Sequence, residues 1–163
     1  MIPFHGILMA AALVTGASED ECPMRPPPLD IATMQTSKDV KSIVVDYPKR
    51  TANLLLKDGS AVRVINMGCQ HSGSIAQSWV MNPPPISDGA AWIKRAEQLA
   101  GIAFTPGESK LFDAWASHGQ LQKQGEDRLE RDGTGYGDLM YSIAVEPIGL
   151  GEGAWLTISY SYP

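Results

Sequence analysis

Between Val40 and Met81 the apolar residues recur at every second position, the spacing that turns one face of a β-strand toward a core. Ile43, Val45 and Tyr47 alternate with Ser42, Val44 and Asp46. Tyr47-Pro48-Lys49-Arg50 then predicts a turn with proline at its second position, and so the start of a hairpin. The next turn carries a register. If Lys57-Asp58-Gly59 is a three-residue loop with Gly59 left-handed, Leu54 faces Val62 and Ala52 faces Val64 on one apolar surface; a two-residue loop would set Leu54 against Arg63. Hydrophobic matching selects the three-residue loop. A fourth strand is predicted over Ser74 to Met81, ended by Asn82-Pro83-Pro84-Pro85, because proline cannot continue a ladder.

The period then changes to that of a helix. From Asp88 to Ala100, Trp92, Ala96 and Leu99 fall on one stripe with Ile93 and Ala100 beside it, Lys94, Arg95, Glu97 and Gln98 fall on the other side, and Gly101 is the expected stop. The second helix has a sharper start: Thr105 as N-cap, Pro106 at the first helical position and Glu108 closing a capping box. Leu111, Phe112 and Trp115 form its stripe, and Gly119 its expected end. Gln120 to Gly137 is polar and glycine-rich and reads as a long loop, with one helical turn around Asp127 to Arg131. Two strands close the chain. In one, Leu139, Tyr141, Ile143 and Val145 alternate with polar or small residues; in the other, Leu156, Ile158, Tyr160 and Tyr162 do so, across a Gly149 to Gly153 turn.

The order ββββααββ predicts an α+β domain, an antiparallel sheet of about six strands with two helices packed on one face or end. A small barrel or sandwich with the helices at one end is the alternative arrangement. There is no internal repeat.

The N-terminus changes the picture of compartment. Ile7 to Val14 is a short apolar run that breaks at Thr15-Gly16-Ala17-Ser18 before Glu19-Asp20-Glu21. It is too short to span a bilayer, and Thr15 and Ala17 stand at the small-residue spacing a signal peptidase requires, so residues 1–18 read as an export signal cleaved near Ala17 or Ser18. One departure is that no Lys or Arg precedes the apolar run. The division that follows is a signal peptide over 1–18, an extended proline-rich arm over 19–36 built around Pro23 to Pro28, and a single domain over 37–163.

Export gives the two cysteines a reading. Cys22 and Cys69 are an even pair in an oxidising compartment, and the expectation is one disulfide tying the arm to the middle of the chain, worth about 4 kcal/mol on a chain-entropy estimate. Cys22 does not read as a lipidation cysteine, because acidic residues precede it where small and apolar ones are needed. Formal net charge is −5, with no basic cluster, which argues against nucleic acid as a partner. No later segment reads as a membrane span, so no membrane insertion is expected after cleavage.

Candidate chemistry is sparse. Gly68-Cys69-Gln70-His71-Ser72-Gly73 sets a histidine two residues from a cysteine, but a disulfide-bonded Cys69 offers no thiolate, which leaves His71 as a lone general base or a binding group. His118 sits where a helix dipole favours a cation. Neither belongs to a close-spaced ligand pair, so no metal and no cofactor is called for. Glu130 to Tyr141 imitates a calcium loop but has Tyr141 at position twelve instead of a bidentate Glu. Trp79, beside the proline loop, and Trp155, on the face opposite Leu156 and Ile158, are candidate interface anchors.

These features together point to a periplasmic or secreted protein that is not an enzyme and binds another envelope or extracellular protein, as an inhibitor or immunity-type partner would. The rival reading is a small exported hydrolase using His71 with a carboxylate from the Gly125 to Asp138 loop. A third is a structural envelope domain with no concave site.

Overall fold

A computed structural model of the chain describes residues 24–125, 128–148 and 153–163. The predicted signal peptide, Cys22 and the tip of the last hairpin lie outside them. Twelve elements follow in order: α1 (Ile31–Thr36), β1 (Val40–Asp46), β2 (Thr51–Leu56), β3 (Ala61–Met67), β4 (Ser72–Met81), α2 (Gly89–Ala103), α3 (Pro106–Ser117), β5 (Gln122–Gln124), β6 (Arg128–Thr134), a 3-10 turn (Tyr136–Asp138), β7 (Met140–Ile148) and β8 (Gly153–Tyr162). The architecture is α+β, as the pattern predicts, with one antiparallel sheet of eight strands in the order β1-β2-β3-β4-β8-β7-β6-β5. Two four-strand meanders meet at the long central pair β4 and β8, which runs from Ser72↔Tyr162 to Met81↔Gly153.

The β2–β3 register is the one that hydrophobic matching selects, with Leu54 opposite Val62 and Ala52 opposite Val64. Its loop closes through the Ser60 N–H donating to Asp58 Oδ1 at 2.9 Å, with Gly59 at φ +89°. The first turn also forms where expected, the Arg50 N–H donating to the Tyr47 carbonyl at 3.0 Å.

α2 and α3 lie on one face of the sheet, and between helices and sheet sits a single core. Ala52, Leu54, Val62, Val64, Ala76, Val80, Tyr141, Ile143, Val145, Leu156, Ile158 and Tyr160 enter it from the strands, Trp92, Ala96, Leu99 and Phe112 from the helices, and Phe104 from the turn between α2 and α3. α2 starts at Asp88, whose Oδ1 accepts the Ala91 N–H at 3.0 Å. It runs past the expected stop at Gly101 to Ala103. Ile102, Ala103 and Phe104 are buried there, and that burial outweighs the modest helix penalty of one glycine. The capping box at Thr105 and Glu108 is present in full.

Two expectations need correction. The segment read as a loop from Gln120 to Gly137 contains β5 and β6, which complete the second meander. β6 escapes the hydrophobic pattern because Leu129 is its one buried apolar side chain. On the same side Arg131 takes the place an aliphatic residue would hold, its guanidinium stacked 4.1 Å over Trp115 and donating to the Ala116 and Trp115 carbonyls at 2.7 and 2.9 Å. The segment read as an extended arm ends in helix α1, capped by Asp30 accepting the Thr33 N–H at 3.0 Å, with Met34 buried against the core.

The part of the arm that is extended is tied down along its length. Met24 and Cys69 exchange backbone hydrogen bonds at 3.2 and 2.7 Å, Ser72 Oγ donates to the Arg25 carbonyl at 2.9 Å, and Asn66 Nδ2 donates to the Pro27 carbonyl at 2.9 Å. Gly68 is needed at this crossing, because a Cβ there would stand 2.5 Å from Pro26 Cδ.

Candidate functional site

An eight-stranded sheet with helices on one side leaves its other face to solvent or to a partner, and strand alternation decides what that face carries. One row reads Leu55, Ala61, Trp79, Trp155 and Glu146 across successive strands, with Met81, Gly153 and Ile148 in the row beyond it. Trp79 and Trp155 are thus directly opposed across the central strand pair, their rings 5.1 Å apart edge to face. Trp79 lies down on Gly153, where a Cβ would fall 2.2 Å from the indole, and its Nε1–H donates to Met81 Sδ at 3.2 Å. Both tryptophans are half-buried. Leu55, Met81 and Ile148 around them are 38%, 40% and 45% exposed, so the tryptophans centre an apolar patch; the same face also carries Val44 and Met140, both exposed, and the half-buried Ile65 and Ile75.

The next row, Asn53, Arg63, Gln77, Thr157, Ala144 and Glu130, is mostly polar. Toward β6 and β7 the face turns acidic. Glu130, Asp132 and Glu146 stand against one cation, Arg128, which pairs with Glu130 at 3.1 Å and Glu146 at 3.3 Å. These ion pairs are solvent-exposed and contribute little to stability; their effect is on the sign of the surface.

The helix side has its own concavity. A cavity of about 530 Å³ opens between α2 and the strands beneath it. Val80, Leu99, Ile102 and Leu156 form its floor, Ser60 and Ser78 add hydroxyls, and Lys57, Lys94, Arg95, Asp39 and Asp58 ring its mouth. Asp58 is committed: Oδ1 accepts from the Ser60 N–H and Oδ2 from Arg95 at 3.2 Å. Partial burial pushes its carboxyl up, but the Ser60 N–H and Arg95 outweigh that and hold it below the usual carboxylate range. The periodic pattern placed Lys94, Arg95 and Gln98 on a solvated helix face. It missed the cavity because the shortfall between helix and sheet that opens it is a tertiary property with no signature along the chain.

The remaining candidates are dispersed. His71 is exposed, just ahead of β4 and at the far end of that strand from Trp79, and makes no hydrogen bond or ion pair with a carboxylate among the described residues. His118 caps α3, its ring Nδ1 2.6 Å from the Ala114 carbonyl. Glu130 and Asp132, the start of the calcium-like stretch, lie in strand β6, paired with β7. Among the described residues no three His, Cys, Asp or Glu side chains gather closely enough to hold a metal, and no helix is long and apolar enough to cross a membrane. Cys69 is not a free thiol; the expected bridge to Cys22 lies outside the described residues.

A polar knot occupies the core beneath α3. Glu108 Oε1 accepts from the Tyr160 hydroxyl at 2.5 Å, and Oε2 accepts from the Thr105 N–H and hydroxyl at 3.0 and 2.7 Å. Burial, the hydrogen bond to Glu108 and that carboxylate's charge push the Tyr160 hydroxyl far above the usual phenol range. These hydrogen bonds join α3 to β8. Compared with protein-family models, curated proteins and solved structures, the chain finds no match in any of the three.

Proposed function

We propose that this chain is an exported, non-enzymatic binding protein that docks another protein on the open face of its sheet. The observation that carries the reading is the opposed Trp79–Trp155 pair, seated on a rigid eight-stranded sheet and ringed by the exposed side chains of Leu55, Met81 and Ile148. Paired aromatics on a stiff support lose little entropy on binding and are the residues that dominate interface energetics. Export is supported by the apolar run Ile7 to Val14 and its small-residue boundary, and a Cys22–Cys69 disulfide would suit that compartment.

Charge selects the partner. The patch is flanked on the β6–β7 side by three carboxylates and one cation, and the whole chain carries −5, so a complementary surface is apolar at its centre and basic at its rim. A second copy would bring −5 against −5, which opposes self-association. The test is photo-crosslinking from position 81 or 148 in the chain exported with its own leader, then titration of the purified partner with Trp155→Ala and Ile148→Glu. One adduct species, an affinity loss of tenfold or more in both variants and weakening with added salt are expected. An adduct only with a second copy of the chain, no adduct from either position, or unchanged affinity in both variants overturns the proposal.

A further inference from the structure

The cavity on the helix side is separate from the open face and is a site in its own right. Its volume, about 530 Å³, lies inside the range of roughly 300–1,000 Å³ typical of small-molecule sites. Its floor and its mouth differ in chemistry. Val80, Leu99 and Leu156 close off its floor, the apolar surface open to a ligand is that of the half-buried Leu56, Pro84 and Ala91, and Lys57 and Lys94 are exposed at the rim.

The charges at the mouth do not cancel. Arg95 and Asp58 neutralise one another through their ion pair at 3.2 Å. Lys57 and Lys94 form no ion pair among the described residues, and one further carboxylate, Asp39, stands with them, leaving a local charge of +1 on a chain whose total is −5. A cationic rim above a dry floor is complementary to an amphiphile with one negative head, and it penalises a positive head by like charge.

We propose that this cavity binds a small amphiphile with an apolar tail and a single anionic head, of the chemistry of a medium-chain fatty acid. The tail lies along Leu56, Pro84 and Ala91 above that floor, and the head is held between Lys57 and Lys94. The same chemistry is supplied by a free fatty acid or by a single-chain anionic phospholipid drawn from a membrane. Occupation of this site neither requires nor blocks a protein on the opposite face.

The experiment titrates the full mature chain by calorimetry with sodium dodecanoate, dodecanol and dodecyltrimethylammonium, each below its aggregation limit, with lysophosphatidylglycerol as the lipid arm. Saturable 1:1 binding of dodecanoate or of the lysolipid is expected, at least tenfold tighter than the cationic analogue. Binding of dodecanoate identifies the free acid as sufficient; binding of the lysolipid alone identifies the membrane as the source. Lys57→Glu with Lys94→Glu is expected to weaken binding at least tenfold, and Ala91→Phe, which fills the mouth from the first turn of α2, to abolish it. Circular dichroism and melting temperature check that both variants fold, and Gln98→Trp, at an exposed lining position, gives a second block if Ala91→Phe does not. Absence of saturable binding by both anionic amphiphiles, equal binding of the cationic analogue, or unchanged binding in a folded blocked variant overturns the proposal. None of these readouts involves Trp79 or Trp155, so failure here leaves the protein-docking reading standing, and the reverse.

Discussion

Tyr160→Phe isolates one atom of the knot that ties the helical layer to the sheet. The hydroxyl donates to Glu108 Oε1 at 2.5 Å, while the ring packs edge to face on Phe104 at 4.8 Å between centroids. Phenylalanine keeps the ring contact and opens no cavity, so the loss is that of the hydrogen bond alone. Bonds to charged acceptors contribute about 1.5–3 kcal/mol, and since Glu108 retains its two bonds from Thr105, about 2 kcal/mol is expected near neutral pH. For a domain of this size that lowers Tm by about 4–8 °C. The pH dependence carries the stronger test. Tyr160 titrates well above its unfolded value, so its contribution is intact below about pH 10 and is lost as pH rises beyond that, at about 1.4 kcal/mol per pH unit, because only the unfolded chain releases the proton. The variant lacks this group. The difference between wild type and Tyr160→Phe is therefore flat from pH 7 to 9.5 and closes near pH 11.5. Urea denaturation of both proteins across that range measures it. A difference below 0.5 kcal/mol at pH 7, or one that stays constant to pH 11.5, would falsify the assignment.

Gly73→Ala places a Cβ 2.2 Å from the Tyr160 carbonyl oxygen and 2.8 Å from Ser161 Cα; the clash is with backbone, and a loss of about 3 kcal/mol or failure to fold is expected by denaturation. Arg131→Lys keeps the charge but loses the planar stack on Trp115 and one of the two bonds to α3 carbonyls, which should cost about 1–2 kcal/mol and reduce amide protection at the end of α3. Asp113 is half-buried with Oδ1 unpartnered among the described residues, and burial, followed by the charge of Glu97, raises its carboxyl. Its charged form thus disfavours the fold, the effect appearing as pH rises through the folded value, so Asp113→Asn is expected to match wild type at pH 3 and to exceed it at pH 7 in thermal melts. Gly153→Ala should push the Trp79 ring off its seat and reduce the near-ultraviolet circular dichroism of the tryptophan pair, with a smaller effect on far-ultraviolet signal; an unchanged aromatic spectrum contradicts the geometry.

Elements whose chemistry is local were legible in the chain. The Thr105-Pro106-Gly107-Glu108 start, the Asp88 start and the Lys57-Asp58-Gly59 loop are each fixed by a few neighbouring residues, and each forms as the pattern predicts. Elements whose partners are remote were not. β6 reads as loop because its inner face is filled by Arg131, whose apolar surroundings and carbonyl acceptors come from α3. α1 is short and polar and depends on Met34 reaching a core assembled from distant strands. The strand alternation put Trp155 on the face away from Leu156, but its pairing with Trp79 needs β4 and β8 to be neighbours, and they are separated in sequence by both helices and three strands.

That pairing also settles how the two proposed sites relate. Trp79 and Val80 are consecutive residues of β4, as Trp155 and Leu156 are of β8, and successive side chains of a strand point to opposite faces. The tryptophans belong to the open face and Val80 and Leu156 to the floor of the cavity. The sites are thus back to back through a single sheet thickness, close enough for strain to pass between them yet sharing no side chain. Because they share the backbone of β4 and β8, a double-mutant cycle across the two sites is expected to show a stability coupling of about 0.5 kcal/mol or more, while the two binding affinities stay independent. If dodecanoate binding instead shifts the affinity of a partner docked on Trp79 and Trp155, the coupling must run through displacement of β4 and β8 themselves, and amide exchange along Ser78 to Val80 is where that displacement registers.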